Sequence, residues 1–331
     1  FAMLQNHAWG DSYTTWTGIL PPQKEIAQCF IRLKCKALGC FGLTAADGSL
    51  DFPADGSLRE FFVTGWEYLA AKETGHLKEV TVLESVTFNE HRNFGDYVRH
   101  FYDLKSKLDR KSAEYLYAKL FLNSLYGKFA ANPERYRNYF IIPAKHVPFL
   151  LKDRLVKFEG WDFEGFIGST NQLALISKVL ADDQRRNYNV ATAASITGCV
   201  RAIFWRAAAG ADGLFYGDTD GIFAEKLNVK VSNELGDWKE EPPECGHGYN
   251  RVAIAGKKLY ALWCGKCRWT GFDDEGRTPK GWKIASKGVK ISGPEIFEIA
   301  RGKEITWKKD APSFSLKLGA KFLSRTIRKT G

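Results

Sequence analysis

The chain has 331 residues, of which 44% are hydrophobic and 14% aromatic, and its 48 lysines and arginines exceed its 38 acidic residues, giving a formal charge of +10. This composition excludes disordered, collagen-like and low-complexity chains. The length predicts about two domains or one large multi-lobed domain, and the charge fits a polyanionic partner such as a nucleic acid.

Compartment signals are few. No stretch approaches the roughly 18 consecutive apolar residues of a membrane span, so no membrane partner is expected. The seven cysteines form an odd, widely spread set, which favours a reducing compartment over a disulfide framework. The sequence shows no pattern of a signal or transit peptide.

The first third of the chain is predicted to be mixed in structure. Alternation over Cys29–Cys35 indicates a strand. The pairs Asp47-Gly48 and Asp55-Gly56 indicate turns. Residues Leu58–Gly75 are predicted to form a helix and Leu77–Phe88 a strand.

Two helices are predicted next. Apolar residues recur at helical spacing from Phe94 to Leu104. A charged link, Lys105–Lys111, separates this helix from a second one, which runs from about Ser112 to Phe129 and stops before Pro133.

The second half contains one long predicted helix and several strands. Residues 134–190 are aromatic and basic without clear periodicity, whereas Ala191–Ala209 predicts a helix ended by Gly210. Leu214–Phe223 predicts two strands around a tight acidic turn. Val252–Cys264 is predicted to form a strand, and Cys267–Phe272 the strand that returns along it. A short helix is expected from Pro294. It is followed by a basic tail with Lys317, Lys321, Arg325, Arg328 and Lys329.

The acidic turn is the segment with the most specific chemistry. Asp218 and Asp220 stand two residues apart between strand-forming residues, in the stretch FYGDTDGIF. This spacing directs both carboxylates to one side of a strand or into one turn. Mg²⁺ takes carboxylate oxygens together with substrate phosphates, and two such ions promote phosphoryl transfer. The alternative is an ordinary Asp-rich hairpin turn.

A polar stripe on the second predicted helix is the other candidate. Lys119, Asn123 and Tyr126 lie at about 0°, 40° and −20° around a helix with 100° per residue. An ammonium, an amide and a phenol on one stripe suit the phosphates, sugar and base of a nucleotide. The alternative is an amphipathic helix with a solvated lysine and a core tyrosine.

Both motifs together resemble those of family B DNA polymerases. The sequence KLFLNSLYGKF at 119–129 is similar to their fingers motif, and YGDTDGI at 216–222 to their palm motif Y-x-D-T-D-S-I. Lys258-Leu259-Tyr260 is similar to their K-x-Y, and KGVK at 287–290 to the motif that follows it. The segment Phe94–Lys107, with Tyr102-Asp103-Leu104-Lys105, resembles the start of the fingers in the protein-primed branch, which serves linear-genome phages, viruses and linear plasmids.

The resemblance implies a role for each matching residue. Asp220 would be the main ligand of Mg²⁺ (or Mn²⁺) and Asp218 its partner. Lys119 would bind the incoming phosphates, and Asn123 and Tyr126 would line the nucleotide pocket.

Further roles follow for the primer and for a second phosphate contact. Lys258 and Tyr260 would hold the primer terminus, with Lys290 in the motif beyond them. Lys105 or Lys107 would supply the second phosphate contact, and their spacing does not choose between them.

The implied fold is α+β: a right-hand polymerase with an antiparallel palm sheet carrying Asp218, Asp220, Lys258 and Tyr260, helical fingers and a small thumb, and no exonuclease domain. The corresponding ranges are a palm remnant with an insertion region (1–93), fingers (94–132), a second insertion region (133–190), palm (191–292) and thumb (293–331).

Two departures from the family pattern stand out. Gly221 replaces the usual serine, and a modest effect is expected because glycine suits a tight turn. The first palm motif, D-x-x-S-L-Y-P, is missing, and Phe1-Ala2-Met3 resembles the residues just after its proline. The expectation is that this polypeptide has little polymerase activity until an upstream segment with that aspartate is restored. Asp11 lacks the Leu-Tyr-Pro context of a substitute.

The implied function is DNA-directed DNA polymerisation, in which a primer 3′ hydroxyl attacks a deoxynucleoside triphosphate and pyrophosphate leaves. The implied partners are primer-template DNA, dNTPs and a terminal protein primer. The implied location is the host cytoplasm or nucleoid for a phage or virus, or a mitochondrion for a linear plasmid. The alternative is an inactive, nucleic-acid-binding polymerase fragment.

Two side features have competing interpretations. Cys245, His247, Cys264 and Cys267 could form a tetrahedral zinc site. Because C-x-H is not a common knuckle spacing, incidental cysteines at a hairpin tip are favoured. Arg201 either points to the palm, or is a charge on the helix surface or part of a core ion pair.

Overall fold

The computed structural model describes residues 2–45, 48, 50–132, 137–147, 161–167, 170–179, 187–274, 276–309, 312–315 and 319–330. Phe1, Asp47, Pro133 and Lys317, which enter the sequence-based expectations, lie outside these described residues, as does the side chain of Lys321.

Five α-helices lie in the described ranges. They are α1 (Gly65–Glu73), α2 (Gly95–Lys107), α3 (Ala113–Phe129), α4 (Val190–Ala209) and α5 (Gly293–Ala300), with short 3₁₀ helices at Ala2–Leu4, Gln23–Gln28 and Ala144–His146. None of these described helices is both long enough and apolar enough to cross a membrane.

The strands form several small antiparallel sheets. In chain order they are β1 (Asn6–Thr17), β2 (Phe30–Ala37), β3 (Leu43–Thr44), β4 (Leu50–Asp51), β5 (Leu58–Thr64), β6 (Leu77–Asn93), β7 (Arg137–Pro143), β8 (Trp161–Ile167), β9 (Leu173–Val179), β10 (Tyr216–Asp218), β11 (Gly221–Phe223), β12 (Arg251–Gly256), β13 (Leu259–Trp263), β14 (Trp282–Ser286), β15 (Ile305–Lys308), β16 (Ser313–Ser315), β17 (Gly319–Lys321) and β18 (Ser324–Ile327).

The chain divides into two compact units. Unit 1 comprises Phe1–Tyr136 and Leu180–Trp238, and unit 2 comprises Arg137–Val179 and Lys239–Gly331. The boundary after Trp238 therefore falls inside the range 191–292, which the sequence predicts as one palm.

Unit 1 is built around a four-stranded sheet in the order β1-β6-β2-β5. On β2, Ile31, Leu33, Cys35 and Ala37 are buried while the residues between them are more exposed. This period of two directs one face of the sheet into the main core, where Phe41 and Phe61 pack. The strand predicted over Cys29–Cys35 is confirmed.

The helix predicted over Leu58–Gly75 is wrong in its first half, which forms the edge strand β5. The helix starts only after Thr64, because this residue forms a capping box with Glu67. The Thr64 hydroxyl accepts from the Glu67 amide at 3.3 Å, and the Glu67 carboxylate accepts from the Thr64 amide at 3.0 Å.

The two helices predicted from Phe94 to Phe129 are confirmed as an antiparallel α2–α3 hairpin. The Tyr97 hydroxyl donates to the Phe121 carbonyl at 3.0 Å, and the rings of Phe101 and Phe121 stack with centroids 5.1 Å apart. The predicted link begins too early, since α2 continues to Lys107.

Helix α4 is confirmed between its Asn189 cap and Gly210. It packs on the sheet of unit 1, where the Thr192 hydroxyl donates to the Ala8 carbonyl at 2.6 Å. Gly198 allows close approach to α1, because a Cβ there would lie 2.1 Å from the Thr64 hydroxyl oxygen.

Two three-stranded sheets lie in unit 2. The first, in the order β7-β9-β8, occupies a region for which no periodicity predicts strands. The buried run Ala174–Ser177 explains the missing signal, since a strand buried on both faces loses its alternation.

The second sheet, β12-β13-β14, corrects two predictions. Residues Val252–Cys264 form a hairpin rather than one strand, with its turn at Lys257 and Lys258. The strand that returns along β13 is β14, and Cys267–Phe272 is not a strand. One face of this sheet packs with α5 in the second core, which includes Leu259, Ile296 and Ile299.

Candidate functional site

The acidic hairpin of β10 and β11 is built around a two-residue loop. Asp218 pairs with Gly221, which leaves Thr219 and Asp220 at the tip. The Asp220 amide donates to the Asp218 carbonyl at 2.8 Å, and Thr219 has φ +60°. These features define a γ-turn centred on Thr219, so the predicted tight acidic turn is confirmed.

Thr219 adopts a backbone conformation that β-branched residues avoid. Such strain costs on the order of 1–3 kcal/mol and is typical of functional sites. The Thr219 hydroxyl donates to the Asp218 carboxylate at 3.1 Å. The strained turn therefore holds Asp218 half-buried and Asp220 exposed, two residues apart.

Helix α4 and one glycine position this hairpin. A Cβ on Gly217 would lie 2.3 Å from Cζ of Phe204, so only glycine lets β10 pack this closely on α4. The rings of Tyr216 and Phe223 stack across the two strands at 5.5 Å. At Gly221, by contrast, the nearest atom to an added Cβ is the Asp218 carbonyl oxygen at 3.8 Å.

The predicted polar stripe lies on an exposed side of α3. Ala118 and Phe129 face the interior, whereas Lys119, Asn123 and Tyr126 are exposed. Tyr126 is 44% exposed, so the alternative of a core tyrosine is wrong.

Helix α4 also contacts α3. The Asn189 amide donates to the Phe129 carbonyl at 3.0 Å, and Phe129 packs with Ala193 and Ile196. The hairpin packs at Phe204, which lies ~12–17 Å further along the same helix at 1.5 Å per residue. One helix thus contacts both the acidic hairpin and the end of α3.

The two lysines near the end of α2 differ in position. Lys105 is half-buried, with Nζ 5.3 Å from the ring centre of Tyr102, and Lys107 is exposed. At 100° per residue, Lys105 lies about 40° from Phe101, which stacks on α3, whereas Lys107 lies about 120° away. This geometry favours Lys105 as the lysine on the side of α3.

The expectation of one palm sheet carrying Asp218, Asp220, Lys258 and Tyr260 is wrong. The predicted primer-contacting residues lie in unit 2, in a different sheet from the acidic hairpin. Lys258 is in the β12–β13 turn with φ +54°, so its prediction as a strand residue is wrong. Its carbonyl accepts from the Lys287 amide at 2.9 Å, which joins the K-x-Y and K-G-V-K segments. Tyr260 lies on β13 opposite Ala285, and Lys290 lies with Nζ 5.2 Å from the Phe272 ring centre.

Arg201 makes a structural ion pair. Its Nε lies 2.6 Å from the carboxylate of Glu67, which is 9% exposed. The alternative of an ion pair is confirmed, and the pair joins α4 to α1.

The four residues of the Cys/His set are brought together. The ligand atoms of Cys245, His247, Cys264 and Cys267 all lie within 4.8 Å of one another. The four residues named by the sequence are thus close enough to share one ion, which incidental cysteines would not require. The sequence spacing alone does not show this proximity, because the two halves meet through the register of β12 and β13.

Comparison with known proteins shows a similarity to one family. Residues 36–197 match the family described as DNA polymerase type B, organellar and viral. The chain is 34% identical over 286 residues to the DNA-directed DNA polymerase of Enterobacteria phage PRD1, covering 80% of this chain and 48% of the relative. It is 28% identical over 207 residues to a probable DNA polymerase of Ascobolus immersus, covering 59% of this chain and 16% of that protein.

Solved structures show the same fold. Phi29 DNA polymerase, complexed with primer-template DNA and incoming nucleotide substrates, aligns with a TM-score of 0.66 at 17% identity, over 99% of this chain and 56% of the other. In sequence the chain is similar to the type B DNA polymerases of the organellar and viral kind. It spans about half the length of the phage relative. The α+β, right-hand polymerase fold is confirmed.

Proposed function

We propose that the chain is the polymerising part of a DNA-directed DNA polymerase, which adds a deoxynucleotide to a primer 3′ hydroxyl and releases pyrophosphate. The observation that carries the proposal is the strained turn holding Asp218 and Asp220 on the helix that also contacts the end of α3. The similarity to a phage DNA polymerase over 80% of the chain supports the same function.

Asp218 and Asp220 are the proposed metal ligands. Their carboxylates offer hard oxygen donors, which suit Mg²⁺ or Mn²⁺ together with substrate phosphates. Asp218 and Asp220 would hold a pair of divalent ions, which would supply activation of the attacking hydroxyl and stabilisation of the leaving oxygen. The γ-turn restricts the carboxylates in advance, so less ordering is needed when substrate binds.

The polar stripe of α3 is proposed to bind the incoming nucleotide. The Lys119 ammonium would contact the triphosphate, where a fixed positive charge stabilises the charge that develops during transfer. Asn123 and Tyr126 lie one turn or two turns along the same stripe and would contact sugar and base. Lys105, rather than Lys107, is the favoured second phosphate contact.

The turn segments of unit 2 are proposed to hold the primer strand. Lys258 and Lys287 are joined through their backbones and are exposed, as is Lys290. Exposed lysines on turns contact phosphates without reading sequence. Tyr260 would pack against the primer terminus from β13.

We infer a protein-primed mode of replication, with a terminal protein as primer and the host cell as the place of action. The sequence Tyr102–Lys105 and the similarity to a phage polymerase support this branch. The compartment would be the cytoplasm or nucleoid of a host bacterium, or a mitochondrion for a linear plasmid.

The test measures equilibrium binding of a fluorescent dNTP to the full chain with primer-template DNA, with and without Mn²⁺. Asp218→Asn and Asp220→Asn should each abolish the Mn²⁺-dependent part of dNTP binding. Asp274→Asn, an equal charge change at an exposed loop position, should leave it unchanged. Equal, Mn²⁺-dependent binding by all four proteins would contradict the proposed metal site.

A further inference from the structure

Two short segments of unit 2 bring three thiols and one imidazole to a single point. Cys245 and His247 lie in the loop before β12, and Cys264 and Cys267 follow β13. Sγ of Cys264 lies 3.5 Å from Sγ of Cys245 and 4.0 Å from Nδ1 of His247.

These separations are close to those around one ion with four ligands. Zinc binds Cys sulfur at about 2.3 Å and His nitrogen at about 2.0–2.1 Å, so the ligand atoms of a tetrahedral site with three sulfurs and one nitrogen lie roughly 3.5–3.8 Å apart. The four ligand atoms here lie within 4.8 Å of one another, so small side-chain movements would complete the site. We propose that Cys245, His247, Cys264 and Cys267 bind one zinc ion in a structural, four-coordinate site. All four positions are filled by protein ligands, which is typical of structural rather than catalytic zinc.

The surroundings of the thiols resemble a metal knuckle. The Cys267 amide donates to Sγ of Cys264 at 3.2 Å. The Cys264 amide donates to the Gly281 carbonyl at 2.9 Å, and the Trp282 indole to the Cys267 carbonyl at 3.1 Å. Such outer contacts fix the ligands before the ion arrives.

Gly281, directly before β14, lies against the thiols of Cys264 and Cys267. A Cβ at Gly281 would lie 2.8 Å from Sγ of Cys267 and 3.1 Å from Sγ of Cys264, and its φ is +99°. Any side chain at this position would displace the thiols, so Gly281 is a positioning residue for the proposed site.

The other four cysteines behave differently. Cys29, Cys35, Cys40 and Cys199 are buried in unit 1, and burial raises the pKa of each thiol, to about 12 for Cys29 and Cys40. Buried thiols with raised pKa values are inert. They supply natural controls for chemistry at the proposed zinc site.

The proposed ion would stabilise a segment that has no regular secondary structure. Residues 239–250 contain no helix or strand, and their described connection to the sheet includes the ion pair of Glu241 with Lys283. A zinc crosslink would attach this segment to the end of β13, the strand that carries Tyr260. Metal binding of this kind contributes folding free energy directly.

The test begins with the untagged full chain purified without chelator. Elemental analysis should find one zinc per chain, and X-ray absorption should show three sulfur neighbours and one nitrogen. Cys264→Ser and Cys267→Ser should each lose the zinc, Gly281→Ala should reduce its occupancy, and Cys40→Ala should retain it.

A second measurement uses the wild-type chain, so the test does not depend on whether the variants fold. Removing zinc with a chelator should increase amide hydrogen exchange in 239–250 and around Cys264, with unit 1 unchanged. Zinc-free protein with reduced thiols, a Cys245–Cys264 disulfide, a shell dominated by oxygen, or exchange unaffected by the chelator would each overturn the proposal.

Discussion

Two glycines of unit 1 illustrate how differently single residues constrain this fold. A Cβ on Gly198 would meet the Thr64 hydroxyl at 2.1 Å, at the buried contact between α4 and the start of α1. A Cβ on Gly221 meets nothing closer than 3.8 Å, and the φ of Gly221 is not positive. The first glycine is required by packing, whereas the second leaves room for the serine typical of the family.

Gly198→Ala is therefore expected to destabilise unit 1 by about 1–3 kcal/mol through overpacking. Gly221→Ser should change the free energy of unfolding by less than ~0.5 kcal/mol, as surface substitutions usually do. Urea unfolding followed by tryptophan fluorescence compares the two variants. Equal losses of stability would show that the described contact between α4 and α1 is wrong.

His7 connects β1 to α4 and gives unit 1 a pH dependence. Its ring is fully buried and bonds to the Ser195 hydroxyl at 2.9 Å and the Ala2 carbonyl at 2.8 Å. Burial lowers the pKa of His7, opposed in part by the bond to Ala2, while His91 lowers it further.

The unfolded chain therefore binds a proton near pH 6.5 that the folded chain does not bind. The free energy of unfolding should therefore fall as the pH drops below 6.5. Above pH 6.5, protonation of His7 should make no contribution to its pH dependence. His7→Gln should flatten this slope in urea titrations between pH 7 and pH 5. His91→Gln should remove less of it, because His91 is less buried. An unchanged slope in the His7 variant would contradict the account.

At the scale of elements, the β12–β13 turn carries the proposed contact with the primer. Lys257 and Lys258 are adjacent and exposed, but only Lys258 bonds through its carbonyl to the K-G-V-K segment. Each lysine that neutralises a phosphate of duplex DNA contributes ~0.9 to the slope of log affinity against log salt.

Lys258→Ala is expected to reduce that slope by about 0.9 for primer-template DNA, while Lys257→Ala leaves it near the wild-type value. Fluorescence anisotropy at several salt concentrations provides the measurement. A larger change of slope in the Lys257 variant than in the Lys258 variant would show that Lys257, and not Lys258, contacts the phosphate.

Periodicity predicted the elements whose burial follows one pattern. Helices α2, α3 and α4 and strand β2 were predictable because one face is buried and the other is exposed. Strand β9 was not, since its middle is buried on both faces. The division of Leu58–Gly75 required the capping box of Thr64, which periodicity does not weigh.

The candidate sites also differ in how far local sequence could predict them. The residues of the acidic turn and the α3 stripe were predictable because each set lies on one local element, and the family resemblance selected them. The Cys/His set depends on how the β12–β13 hairpin brings distant segments together. The sequence names the same four residues as a candidate zinc site, but the C-x-H spacing favours incidental cysteines. A single strand over Val252–Cys264 does not show that the two halves meet.

For the whole molecule, the two units have separate proposed tasks. Unit 1 contains the acidic hairpin and the α3 stripe, and unit 2 contains the proposed primer-contacting turns and the proposed zinc site. In unit 1, Asp220 and Lys119 are proposed to bind the same nucleotide.

A double-mutant cycle in Mn²⁺-dependent dNTP binding tests this claim most directly, using Asp220→Asn, Lys119→Ala and their combination. Groups that contact one ligand should be coupled, with an interaction energy on the order of 0.5–3 kcal/mol. Lys128 lies on α3 about 180° from Lys119, so a parallel cycle with Lys128→Ala should give no coupling. Additive effects of Asp220→Asn and Lys119→Ala would contradict a shared nucleotide site.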